Sequence, residues 1–201
     1  MKNYWDEHMG TDEGAANYML SYGEGPGFIL RLEIGRLLEP EEKVLDVGCG
    51  PGWNFDHFLE FGPSVYYRGI DYSPRFVRVA SRRVAPLNIF KLGDVREIDE
   101  PDDSFDVVLL QDVLEHTNGY EEPVREALRV ARKKVIVTFW HLTEDDDHIN
   151  DVPEENDLDG WGAWYSQPKW EKFLDGLKYP WSHKTIDTGH KRDIYVIRKS
   201  K

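Results

Sequence analysis

The chain has 201 residues, of which 40% are hydrophobic, 31% charged and 13% aromatic, a composition that suits one globular domain with a sizeable core. Its formal net charge of −13, from 25 Lys and Arg against 38 Asp and Glu, argues against nucleic acid or an anionic membrane surface as a general partner. A single cysteine, Cys49, excludes an internal disulfide and a multi-cysteine zinc site, and no apolar run reads as a signal peptide or membrane span, so the expected setting is cytoplasmic.

Residues 1–25 are rich in Gly, Tyr and polar groups and read as a short helix with a flexible lead, one that could close over a ligand. GFILRLEIGRLLEP (27–40) sets Phe28, Leu32 and Ile34 to Leu38 at helical spacing and stops at Pro40. Residues 1–42 are therefore taken as a helical lead or cap, and residues 43–201 as the main domain.

From Lys43 the chain alternates. KVLDVG is a strand, and WNFDHFLEFG a short helix stopped by Gly62 and Pro63. VYYRGIDYS is a second strand, followed by the helix PRFVRVASRRV with Pro74 in its first turn, where a missing N–H does no harm. NIFKLGDV is a third strand and SFDVVLLQDV a fourth, its VVLL run fitting a strand buried on both faces. EEPVREALRVA is a helix and KKVIVTFWH a fifth strand. Then comes an acidic, tryptophan-rich insertion at about 143–168, closing on Trp161, Trp164, Tyr165 and Trp170, before a helix near PKWEKFLDGL. It reads as a solvated loop anchored by its aromatic residues or, more sharply, as a lid favouring a cationic substrate. The EF-hand spacing is absent from it, and no metal site is expected. SHKTIDTGHKRDIYVIRKS closes the chain as two strands joined around Gly189.

Strand–helix alternation of this kind predicts an α/β, Rossmann-like fold: a seven-stranded, mostly parallel sheet with helices on both faces and a C-terminal antiparallel hairpin. The usual ligand site of such a sheet is the turn after its first strand. Here that turn is G-C-G-P-G-W (48–53), directly preceded by Asp46. Gly48, Gly50 and Gly52 permit positive φ and a close ligand approach. The dinucleotide pattern G-x-G-x-x-G is broken by Trp53, and an acid before the loop would repel a pyrophosphate. A buried carboxylate there needs a partner, and a ligand ammonium would serve.

VLDVGCGPG (44–52) resembles the first motif of the class I S-adenosylmethionine-dependent methyltransferases, small-molecule branch. GIDYS (69–73), GDV (93–95) and FDVVLLQDVLEH (105–116) resemble later motifs of that family at the expected order and spacing. The resemblance covers residues 43 to about 140. It implies S-adenosylmethionine as cofactor, S-adenosylhomocysteine as product, and a small-molecule methyl acceptor. It also implies that Asp46 lies near the methionyl amino group, directly or through water, that Gly48 and Gly50 pass close to the methionine portion, and that Gly52 belongs to the same cofactor-binding loop. Asp71, with Tyr72 beside it, would hold the ribose, Asp94 and the Val95 amide the adenine, and the Gln111 backbone would line the pocket. Asp71 could instead only end a strand, Asp94 only make a turn, and Gln111 only close its strand. His116 is a general base or substrate contact on one reading and a helix cap or core hydrogen-bond partner on another; His141 is a second candidate of the same kind.

Two other functions compete. A module that binds the cofactor without turnover would keep the same loop. A nicotinamide-dependent oxidoreductase would need a glycine where Trp53 stands and no acid at Asp46. Hydrolase signatures are missing.

Overall fold

The computed structural model describes residues 11–14, 26–149 and 162–199. The predicted lead (1–25) and Trp161 therefore lie wholly or largely outside the described residues. Within the lead, residues 12–14 form one helical turn, and Asp12 accepts hydrogen bonds from Arg78 at 3.1 Å and Arg82 at 2.9 Å.

Helices α1 (Pro26–Gly35), α2 (Trp53–Phe61), α3 (Pro74–Val84), α4 (Glu121–Val130) and α5 (Gln167–Gly176) alternate with strands β1 (Lys43–Val47), β2 (Tyr66–Asp71), β3 (Phe90–Leu92), β4 (Phe105–Gln111) and β5 (Ala131–Phe139). Three short strands, β6 (Leu142–Thr143), β7 (His148–Ile149) and β8 (Ala163–Ser166), precede α5, and β9 (Trp181–Asp187) and β10 (Lys191–Arg198) follow it. The main sheet has seven strands in the order β3-β2-β1-β4-β5-β10-β9. Its first five are parallel, and β10 runs antiparallel to both β5 and β9. The predicted fold class is the observed one.

The helices divide between the faces as the apolar residues dictate. Leu30 and Ile34 of α1 and Phe58 of α2 pack with Val44, Leu109, Ile136 and Val196 on one face. Val124 and Leu128 of α4 and Trp170 and Leu174 of α5 pack with Leu45, Val108, Val137 and Tyr195 on the other. The apolar run of β4 is buried from Phe105 to Leu110 because β1 and β5 flank it and helices cover both faces.

One detail differs from the sequence reading and two add to it. The first helix ends at Gly35, not Pro40; the Leu37 and Leu38 amides then bond to the carbonyls three residues back, so the turn tightens and Leu38 still reaches the core. The C-terminal hairpin does turn at Gly189, with φ +94, but its second strand enters the sheet and its first forms the edge. Burial explains the order: Asp193 to Ile197 are all buried, whereas β9 is largely exposed. The insertion also carries a small sheet in the order β6-β8-β7, too short to give a readable alternation. Of its expected anchors, Tyr165 and Trp170 are fully buried and Trp164 is half-buried.

Strand order reverses between β1 and β4, so the crevice beyond their carboxyl ends lies at a topological switch point. The glycine loop leaves β1 there.

Candidate functional site

The loop is stapled to the end of β2. Gly48 and Cys49 both donate backbone N–H bonds to the Ile70 carbonyl, at 2.8 and 3.0 Å. Gly50 donates to Asp71 Oδ2 at 2.8 Å, while Asp71 Oδ1 accepts the Ser73 amide at 2.8 Å. One carboxylate thus fixes both the glycine loop and the start of α3. Gly48, Gly50 and Gly52 have φ of +75, +53 and +91. A Cβ at Gly48 would lie 2.4 Å from Val113, and one at Gly52 2.6 Å from the Phe90 ring, so close packing excludes larger residues as firmly as the backbone does.

Asp46 is wholly buried. The sequence supplied it no protein partner, yet the structure gives two: the Tyr67 hydroxyl and Asn54 Nδ2, the latter at 3.1 Å, both donate to Oδ2. Burial still pushes its carboxyl up to about 6, against the pull of these two bonds. The other oxygen, Oδ1, has no partner among the described residues, and neither have Asn54 Oδ1 and Gln111 Oε1. Strand register explains their common side. Asp46 pairs with Leu109, and Gln111 lies two residues further along β4, so both side chains leave the same face of the sheet. That face also carries α2 and Asn54.

The remaining predicted residues spread along the same carboxyl edge. Tyr72 is exposed beside Asp71. Asp94 is held by Arg96, at 3.0 Å to Nε and 2.6 Å to Nη2, and this bonding keeps its carboxyl below the usual range. Val95 is half-buried against the core. His116 sits in a 3-10 turn (Leu114–His116), edge-on to Trp140 at 5.1 Å. His141 is exposed, edge-on to Trp164 at 5.2 Å. Asp46, Gly48, Gly50 and Asp71 are therefore joined through the loop, while Asp94 and the two histidines stand apart with partners of their own.

Three charged residues here were not singled out from sequence. Asp112 directly follows β4 with φ +53, a conformation costly for a non-glycine residue, and is held by Thr138, which donates to Oδ1 at 2.7 Å and accepts the Asp112 amide at 3.1 Å. Arg192 of β10 approaches Asp112 Oδ2 at 3.4 Å. Glu115 is buried and accepts the Trp140 amide at 2.7 Å, tying the turn after β4 to the end of β5. Its only sequence signal was its place in the Leu-Glu-His turn. Burial, with Asp112 nearby, pushes the Glu115 carboxyl up to about 8.

This raised value has a consequence for stability. The native state keeps a proton that the unfolded chain releases near 4.5, so stability should fall as pH rises from there to about 8. Glu115→Gln keeps an oxygen for the Trp140 amide and cannot ionise. Its stability relative to wild type should grow by roughly 2–4 kcal/mol between about pH 5 and 9, read by urea unfolding; a constant difference would contradict the assignment.

Residues 45–139, from within β1 to the end of β5, match the family described as "Methyltransferase domain". That stretch of the chain is similar to methyltransferase domains. Over 116 residues it is 33% identical to ajmaline N-methyltransferase from Rauvolfia serpentina, a match covering 53% of this chain and 40% of that enzyme. The chain spans less than half the length of the curated relatives it matches. Two solved structures share the fold. The YcgJ protein of Bacillus subtilis superposes with a TM-score of 0.68 at 17% identity, over 87% of this chain and 98% of that one. A phosphoethanolamine N-methyltransferase from Haemonchus contortus, solved with phosphomonomethylethanolamine and S-adenosylhomocysteine, gives 0.76 at 16% identity, over 100% of this chain and 60% of that one. The matched stretch holds the whole glycine loop together with Asp46, Asp71, Asp94 and Gln111.

Proposed function

We propose that this protein is a methyltransferase that binds S-adenosylmethionine along the carboxyl edge of the sheet and transfers its methyl group to a small-molecule acceptor. The observation that carries the reading is the glycine loop at the switch point, locked by Asp71 and bordered by buried acceptor oxygens with no partner among the described residues: Asp46 Oδ1, Asn54 Oδ1 and Gln111 Oε1. Acceptors of that kind suit an ammonium group, as the cofactor's methionyl end has, and suit a pyrophosphate badly. The small-molecule relative supports the acceptor class.

Bound cofactor supplies a methyl group activated by a sulfonium, so the protein's task is to position the reactants and exclude water. In this reading Gly48, Gly50 and Gly52 let the backbone approach the methionyl end, and Asp46 and Gln111 border it. Asp71 and Tyr72 flank the ribose, and Asp94 and the Val95 amide the adenine. His116, half-buried against Trp140, takes a proton from an acceptor that must lose one, and His141 contacts the acceptor from the open side.

Thermal unfolding with S-adenosylmethionine, S-adenosylhomocysteine and NAD tests the cofactor, and labelled methyl transfer to a panel of small amines, phenols and carboxylates tests the reaction. A ligand at about 100-fold its Kd stabilises by roughly 2.7 kcal/mol, which for a domain of this size is about 5–10 °C. Both adenosyl compounds should produce that shift and NAD none. Stabilisation by NAD alone would overturn the reading; stabilisation without transfer to any class of acceptor would leave a binding module.

A further inference from the structure

Asp46 is held asymmetrically. Tyr67 and Asn54 reach it from different elements, the start of β2 and the first turn of α2, yet both donate to Oδ2 and leave Oδ1 unpartnered among the described residues. The register makes this possible: Asp46 lies opposite Gly69, and Tyr67 is two residues earlier on the same face of β2. Gly69 has no side chain to stand between the phenol and the carboxylate, and a Cβ there would lie 2.7 Å from Phe90 and 2.8 Å from Cys49 Sγ.

We propose that Tyr67 and Asn54 are positioning residues that turn Asp46 Oδ1 toward the cofactor's methionyl ammonium, and so make the site prefer ligands that retain the amino-acid end. This rests on the S-adenosylmethionine reading above. Without donors on one side, a wholly buried carboxylate would be free to rotate and would take up a proton. With two donors on Oδ2, its orientation is fixed and its ionised form is favoured. Among the described residues, the other ionisable groups facing it are Asp71 at the end of β2 and Cys49 in the loop; Asp71 raises the Asp46 carboxyl and so opposes the two donors.

The test compares two ligands on the same protein: S-adenosylhomocysteine, and 5′-methylthioadenosine, which keeps the nucleoside and sulfur but lacks the amino acid. In wild type, affinity for S-adenosylhomocysteine should rise as pH increases through about 6, where Asp46 ionises, and affinity for methylthioadenosine should not. Tyr67→Phe removes one donor. It should weaken S-adenosylhomocysteine by about tenfold, leave methylthioadenosine within about twofold, and move the pH midpoint for the former upward. Asn54→Ala should do the same and carries the test if the tyrosine variant does not fold. Equal weakening of both ligands means that the two residues only support the loop and overturns the proposal, as does an unchanged preference. A wild-type protein that binds neither ligand overturns the cofactor reading itself; failure of the positioning role alone leaves wild-type binding intact.

Discussion

Asp71→Ala should lower cofactor affinity by about 100-fold, because it removes both the carboxylate proposed to hold the ribose and two charge-assisted hydrogen bonds that shape the site around it. One of these bonds fixes Gly50 of the loop and the other the Ser73 amide at the head of α3. The effect combines direct and indirect parts. The variant loses the carboxylate that the ribose is proposed to meet, and it frees the one loop glycine that this carboxylate holds to β2. Gly48 and Cys49 remain tied to the Ile70 carbonyl, so the fold should survive with a modest change in melting temperature. Asp71→Asn separates the two parts. Its Oδ1 still accepts one backbone amide, so it should lose less, about tenfold. Calorimetric titration with S-adenosylhomocysteine reads both variants. Wild-type affinity in Asp71→Ala would show that the loop needs no carboxylate and that the ribose is held elsewhere.

Trp170→Ala should have the largest effect on stability, roughly 3–5 kcal/mol. The indole is fully buried, with ring centroids 5.1 Å from Phe139, 5.2 Å from Tyr120 and 5.6 Å from Tyr195. It joins α5 to β5, β10 and the turn before α4, so its removal leaves a cavity bounded by elements that cannot all close at once. The melting temperature should drop by about 10 °C. Urea unfolding should show a lower midpoint at an unchanged slope. Trp170→Phe should recover more than half of the loss. A loss below about 1 kcal/mol for the alanine variant would mean that α5 is not part of the cooperative core.

The two positions differ in how far the sequence announced them. Asp71 was legible. An acid at the end of a second strand, about twenty residues past a glycine-rich turn, is a local pattern, and the alternation around it fixed its place at the carboxyl edge. What the sequence did not show is that Asp71 bonds the protein's own loop. Trp170 was legible only as an anchor of an acidic insertion, because its neighbours lie on strands and helices far away in the chain.

Asp46 shows the limit most clearly. Its burial and its need for a partner followed from its place in an apolar strand, and a ligand ammonium was the only partner that sequence reasoning could offer. The structure supplies Tyr67 and Asn54 first. Tyr67 had been read only as a strand residue and Asn54 only as the start of a helix, since nothing in a single strand or helix shows which side chain of its neighbour it will face. Glu115 and Arg192 escaped for the same reason: each is ordinary in its own segment, and becomes unusual only through Asp112, beside which Glu115 is buried and with which Arg192 pairs.

The sequence by itself determined the elements, the alternation that makes the sheet parallel, and the glycine loop with its flanking acids. These depend on apolar periodicity and turn chemistry, which act over a few residues. Only the tertiary structure decided that β10 enters the sheet before β9, which oxygen of Asp46 is held and which is left, and which carboxyls keep a proton near neutrality. Those outcomes depend on strand register and on how far packing excludes water, and both are set by residues far apart in the chain.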